Sequence, residues 1–244
     1  MLKATLGAGV PPISYRAVIA ADSPIGFWLL NEPSGTTAAD LVAARDATYN
    51  GSPTLQAAGP SSRLPYGATF NGSTQNASTA THSAFNVACN GTWSIEAWVK
   101  FTGAGTSIQT FAAWRGTGGA NREETATLCV NNGLAGRIQV NVTNAAENAR
   151  LLVTSDGGWN DGNWHHVVAT AVAGGVMTLY VDGVSRGSTS AARAAGNGSQ
   201  RRVTAASNAG NPFGQWFAGS IAGLAIYMAT LSSDRVAAHY AAGR

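Results

Sequence analysis

The chain has 244 residues, 45% of them hydrophobic and only 11% charged, with a net charge of +3 and a pI of about 9.1. That supplies material for a substantial core, is too mildly basic to point to nucleic acid, and includes no stretch long and apolar enough to span a membrane. Charge is well below the roughly 25% of an average soluble protein, so the polar surface must come from Ser, Thr, Asn, Gln and backbone groups, and the 30 glycines suit many short strands and turns.

Residues 1–14 lack periodicity and contain Pro11 and Pro12. They read as an extended N-terminal arm, a candidate for partner contact. Ile25 to Leu30 is a short apolar strand, Glu32 to Gly35 a turn, and Thr36 to Ala44 a short helical turn; Asn50-Gly51 marks another turn. A strand then ends at Asn71-Gly72. "TWSIEAWVKF" gives the clearest alternation: Trp93, Ile95, Ala97, Val99 and Phe101 on one face, Ser94, Glu96, Trp98 and Lys100 on the other.

Four further strands follow in "TSIQTFAAWRG", "TATLCVNNG", "GRIQVNVTN" and "ARLLVTSDGG", separated by Gly/Asn turns. "NWHHVVATAV" is a strand and "VMTLYVDGVSRGS" a hairpin, because Asp182-Gly183 supplies the positive φ of a two-residue turn. Between Asp182 and Asp234 there is no acidic residue, while Arg186, Arg193, Arg201 and Arg202 all fall inside; these four are the candidates for contact with an acidic partner surface. A last strand precedes the helix "SSDRVAAHYAAG", with Ser232 or Ser233 as N-cap, Asp234 in the first turn and Gly243 at the end. Many strands and almost no helix define an all-β, two-sheet antiparallel sandwich or jelly roll, one domain over 15–244.

Four stretches, in order, resemble laminin G-like domains of the concanavalin A-like lectin/glucanase group: "IGFWLLNEPSGTTAAD", "TWSIEAWVKF", "DGNWHHVVATAVAGGVMTLYVDGV" and "FAGSIAGLAIYMATLSSDRVAAHYAAG". The resemblance implies a jelly roll of two packed sheets with a short C-terminal helix. It also implies a rim calcium site in many relatives, whose aspartate would be Asp40. Here the acids expected on the closing strand are replaced by Ala222 and Gly223, so no cofactor or metal is expected.

Chemistry is sparse. Alternation sends Trp164 and His166 to one face and His165 to the other, so the two histidines cannot share a catalytic or metal site; they read as structural. The E-x-D-x-x-E pattern of one glycosidase group is absent: Glu96 is followed by Ala97 and Trp98. No nucleophile elbow, zinc spacing or phosphate loop is present. Cys89 and Cys129 read as semi-buried thiols. The candidate aromatic platforms for a glycan are Trp114, Trp159, Phe213 and Trp216.

These readings lead to a non-enzymatic structural or adhesive virion protein, a capsid-decoration, head-fibre or tail component that associates with itself and with other virion proteins and binds host surface glycans. The expectation rests on an extracellular type of domain that starts at its own Met1 without a secretion leader, and on an Ala/Gly-rich, Arg-over-Lys composition. A carbohydrate-binding module of a bacterial surface system is the second expectation. A glycosidase is the third, and Glu96 would be its first residue to test.

Overall fold

The computed structural model describes residues 14–103, 105, 107–116, 124–131, 133–143, 150–193, 201–208 and 215–244. It opens with helix α1 (Tyr15–Ala20), then β1 (Gly26–Trp28), β2 (Thr37–Ala38), β3 (Ala47–Asn50), β4 (Thr54–Ser61), β5 (Leu64–Asn71) and β6 (Asn76–Thr79). A single 3-10 turn, Ser83–Phe85, leads to β7 (Trp93–Thr102), β8 (Gln109–Gly116), β9 (Glu124–Val130), β10 (Ile138–Thr143) and β11 (Arg150–Thr154). The chain continues through β12 (Asp161–Ala171), β13 (Met177–Val181), β14 (Val184–Thr189), β15 (Arg201–Ala205) and β16 (Ala218–Tyr227) to helix α2 (Ser233–Gly243).

Two antiparallel sheets result. The first has the order β14-β13-β12-β7-β16-β5-β4, with β1 also on β16; the second runs β11-β10-β9-β8-β15-β6-β3-β2. The alternation in β7 decides how the first sheet is used. Trp93, Ile95, Ala97, Val99 and Phe101 are buried in the core between the sheets, with Trp114, Leu128, Val140 and Val203 of the second sheet in the same cluster. Trp98 faces outward into a second cluster, with Tyr15 and Ile19 of α1 and Val236 and Ala242 of α2. The first sheet therefore buries apolar side chains on both faces, and the two helices cover its outer side. On the second sheet Thr204, Ala113, Thr127 and Asn141 lie side by side in register across β15, β8, β9 and β10, and all four are buried.

Local sequence chemistry accounts for the connections. Asp182 (φ 54°) and Gly183 (φ 78°) both take the left-handed conformation of a two-residue hairpin turn. A Cβ on Gly183 would lie 3.3 Å from the Tyr240 ring. Gly183→Ala is expected to destabilise the domain by about 1–2 kcal/mol, read as a lower urea midpoint at unchanged m-value. Helix α2 has the expected cap: Ser232 Oγ accepts from Arg235 N, and Asp234 lies in the first turn.

Two expectations differ. Thr36 to Ala44 is not helical: it forms β2 and a turn gathered by Asp40, whose carboxylate competes for the backbone N–H groups a helix would use. Helix α1 is additional, capped by Ser14 and held by buried Tyr15 and Ile19. Pro11, Pro12 and the rest of residues 1–13 lie outside the described residues.

Candidate functional site: an arginine–tryptophan stack at one end of the sandwich

The start of β8, the end of β9 and the start of β10 meet at one end of the sandwich, where Gln109 and Ile138 both pair with Val130. Trp159 precedes β12 at this end, with its backbone N–H on the carbonyl of Gly136. The indole is half-buried, packs against the core and donates from Nε1 to the Asp156 carbonyl at 2.8 Å.

Arg186 comes to it from the β13–β14 hairpin. The register slips between Leu179↔Gly187 and Tyr180↔Ser185, leaving Arg186 as the extra residue of a β-bulge; such bulges re-aim a side chain. Its guanidinium carbon lies 5.0 Å from the centre of the Trp159 ring, a cation–π stack. Asp156 stands 3.7 Å from Arg186 Nη1 and is well exposed.

His165 packs edge-on against Trp159, ring centres 4.9 Å apart. Its Nδ1 is 2.8 Å from Asp182 Oδ2 and its Nε2 3.1 Å from Asp161 Oδ1. Burial pushes the imidazole pKa down, but the bonds to Asp182 and Asp161 outweigh it and hold it above the ordinary histidine value. Asp161 also accepts from the backbone and side-chain amides of Asn163, both at 2.8 Å. Indole, guanidinium, carboxylates and amides are thus fixed in one surface cluster. Trp216 lies at the same end, half-buried, next to Gln215, whose carbonyl accepts from Thr110 N.

Of the proposed site residues, then, Trp159 and Arg186 come together and Trp216 is near the same rim. The others need correction or fall elsewhere. Trp114 is not a platform: it is 0% exposed, and its Nε1 donates to the Phe85 carbonyl at 2.8 Å in the core. Arg193 is not offered to a partner. It is buried and clips carbonyls of Cys89 (2.9 Å), Gly175 (2.9 Å) and Val172 (2.5 Å), joining two turns. Arg201 is also fully buried, and its backbone bonds Asn86 and His82. A long side chain with several donors satisfies turn carbonyls inside the fold as well as it serves a surface. Arg202 is half-buried opposite Arg115. Phe213 lies outside the described residues. Cys89 and Cys129 are fully buried rather than semi-buried.

Asp40 does not fit a calcium ion. Oδ1 accepts from Phe27 N and Val42 N at 3.0 and 3.1 Å, and Oδ2 from Ala43 N and Arg45 N at 3.2 and 3.1 Å. A carboxylate offers about four acceptor sites, and the backbone takes them. Calcium needs six to eight oxygens, and the neighbouring closing strand supplies no acid.

Sequence reading missed a second polar cluster, sealed beneath the helices. Glu96 is 0% exposed on the outer face of β7. His166 Nε2 bonds its Oε2 at 2.7 Å, Tyr227 donates to Oε1, and His239 Nδ1 is 3.1 Å from both oxygens. The other ring nitrogen of His239 lies 2.6 Å from Asp22, which also receives Arg235 at 2.7 Å. With a carboxylate at each nitrogen, His239 donates twice and is the imidazolium. Burial pushes the Glu96 carboxyl up, but the His239 charge and the His166 and His239 bonds outweigh it and hold it well below the usual carboxylate range. The alternation put Glu96 on the mixed face of its strand and His166 opposite His165; the pairing of His166 with Trp98 and the docking of α2 bring Glu96, His166 and His239 together.

An antiparallel two-sheet sandwich with these connections is a lectin-type jelly roll. The chain belongs to the concanavalin A-like lectin/glucanases superfamily: the Laminin_G_3 family model matches residues 71–237. No curated protein matches the sequence. Among solved structures, it is similar to the binding domain of botulinum neurotoxin DC in complex with SialylT (12% identity, TM-score 0.67, covering 91% of this chain and 52% of that one). It is also similar to the serotype D ligand-binding domain in complex with N-acetylneuraminic acid (14%, 0.65, 92% and 52%) and to the DC binding domain with rat synaptotagmin II (12%, 0.65, 91% and 52%). The chain spans about half the length of these structures, and at such identities the likeness is one of fold.

Proposed function

We propose that the chain is a non-enzymatic adhesive module that binds a carbohydrate through the Trp159–Arg186 cluster. The observation that carries this reading is the stack itself: an indole edge and a planar guanidinium fork, held by a bulge and ringed by Asp156, Asp161 and Asn163. Fixed polar groups beside an aromatic ring are what a sugar's hydroxyls and apolar faces require. Support comes from the lectin-type fold and from structural neighbours solved in complex with SialylT and with N-acetylneuraminic acid. Binding rather than hydrolysis is favoured because Glu96, the first candidate for acid chemistry, is sealed from solvent and its oxygens are occupied.

The setting we propose is a virion surface, on the low charge and the Ala/Gly-rich, Arg-over-Lys composition; recovery of the chain by mass spectrometry from purified particles tests it, and absence from them would leave the cell-surface module. The binding itself is tested on a glycan array. Specific binding is expected, with Trp159→Ala and Arg186→Ala each weakening it by about tenfold or more. Absence of any bound glycan, or binding indifferent to both substitutions, would overturn the reading.

A further inference from the structure

A second groove, of about 350 Å³, opens at the opposite end of the second sheet. There β3 begins at Ala47, β6 ends at Thr79 and β15 begins at Arg201 opposite the last residue of β8. Its walls are the 43–46 turn and residues 79–82, among them Ala44, Arg45, Asp46, Thr79, Thr81 and His82.

The chemistry of this groove is unbalanced. Arg45 is half-buried, its Nη1 donates to the Ile25 carbonyl at 2.5 Å, and its guanidinium lies 5.7 Å from the centre of the buried Phe85 ring. It makes no ion pair among the described residues. A partly desolvated guanidinium with no carboxylate at ion-pair distance among the described residues is stabilised by an anion arriving from outside. His82 packs edge-on against the same Phe85 ring at 5.9 Å. Its Nδ1 accepts from Ala84 N at 3.0 Å, so the neutral ring carries its proton on Nε2, as an outward donor.

Both groups are therefore positioned in advance on one aromatic ring. The turn that carries Arg45 is itself fixed by Asp40, with Ala44 held at φ 52°. Preorganisation of this kind lowers the cost of binding. Asp46 adds an acceptor: Oδ1 takes the Asp40 N–H at 2.9 Å, and the residue is exposed, with Oδ2 bonded to none of the described residues. One cation, one neutral donor and one carboxylate favour a singly charged ligand with hydroxyl groups over a dianion, which Asp46 would repel about twice as strongly.

We infer that this groove binds the carboxylate of an acidic sugar residue, with Arg45 and His82 on the carboxylate and Asp46 on a neighbouring hydroxyl. The inference does not depend on the Trp159 cluster, which lies at the other end of the sandwich.

The test titrates the full chain with free glucuronic acid and N-acetylneuraminic acid by calorimetry and by the His82 ring resonances. N-acetylglucosamine, acetate and inorganic phosphate serve as comparisons. At least one acidic sugar is expected to bind about tenfold or more tightly than the neutral sugar or acetate, and to shift the His82 signals. Arg45→Met keeps the stem on Phe85 and removes the charge; His82→Asn keeps a capping oxygen and removes the Nε2 donor. Each is expected to weaken the acidic sugar about tenfold, and Arg45→Met to abolish the shift of the His82 signals, a readout that binding at the Trp159 cluster does not move. Should Arg45→Met unfold, His82→Asn decides. Equal binding of neutral sugar, tighter binding of phosphate, or indifference to His82→Asn would overturn the assignment. Failure of Trp159→Ala on the array leaves this result intact, so the two readings fall separately.

Discussion

Glu96→Ala is expected to lower the stability of the domain by about 3–5 kcal/mol, a large share of the roughly 5–15 kcal/mol of an ordinary domain. The reason is what remains. His239 and Asp22 keep their charges, His166 and Tyr227 lose the oxygen they donate to, and a void opens beneath two helices. Breaking one member of a buried ionic cluster costs more than the cluster contributes. Urea unfolding followed by tryptophan fluorescence measures it. A triple replacement of Glu96, His166 and His239 by apolar residues of similar volume should recover most of the loss. A loss below about 1 kcal/mol for Glu96→Ala would place the cluster among surface ion pairs in weight.

The second large effect is on the pH dependence of stability. Burial pushes the Asp22 carboxyl up, but the Arg235 and His239 bonds and charges outweigh it, so it titrates below the ordinary value, as Glu96 does. A carboxylate with a depressed folded pKa contributes stability that is complete above its unfolded value, about 4, and is lost as pH falls through the folded one. For His239, burial lowers the pKa, but Glu96 and then Asp22 raise it above the ordinary value; His165 is raised in the same sense by Asp182 and Asp161. Their contribution is complete below the unfolded histidine value, about 6.5, and is lost as pH rises through the folded one. Between those limits each such histidine tilts the curve by up to about 1.4 kcal/mol per pH unit. Stability should therefore peak between about pH 4.5 and 6.5 and decline toward alkaline pH. Urea midpoints from pH 4 to 9 give the curve, and His239→Gln should flatten its alkaline limb. A maximum above pH 8 would contradict the assignment of His239 as the imidazolium.

Much of this architecture is legible in local sequence. The period-two pattern of β7 assigns both faces of the first sheet, Asp182-Gly183 fixes a hairpin, and Ser232 and Asp234 open α2. These signals need only neighbouring residues. Helix α1 was not legible, because six residues carry too little periodicity and its hold comes from packing on the sheet. The arginines were misjudged for a related reason: the carbonyls that bury Arg193 belong to turns 18 to 104 residues away. Trp159 was visible as a candidate aromatic platform in a Gly/Asn-rich loop, but its partner depends on a bulge that no composition reveals. The Arg45–His82 groove pairs segments joined only by sheet register, so neither residue stood out.

The sealed cluster also sets an order of events. Asp22 and His239 are separated by 217 residues, so the bond between them closes a very long loop, and such distant contacts form late. On the ribosome, where synthesis runs from the N-terminus, Glu96 and His166 emerge long before the helix that seals them. Until α2 arrives, the outer face of the first sheet exposes Trp98 and an uncovered carboxylate. Helix α2 thus acts as a latch on a sheet already laid down: with it undocked, every described strand can be in place and the outer face of the first sheet still stands open.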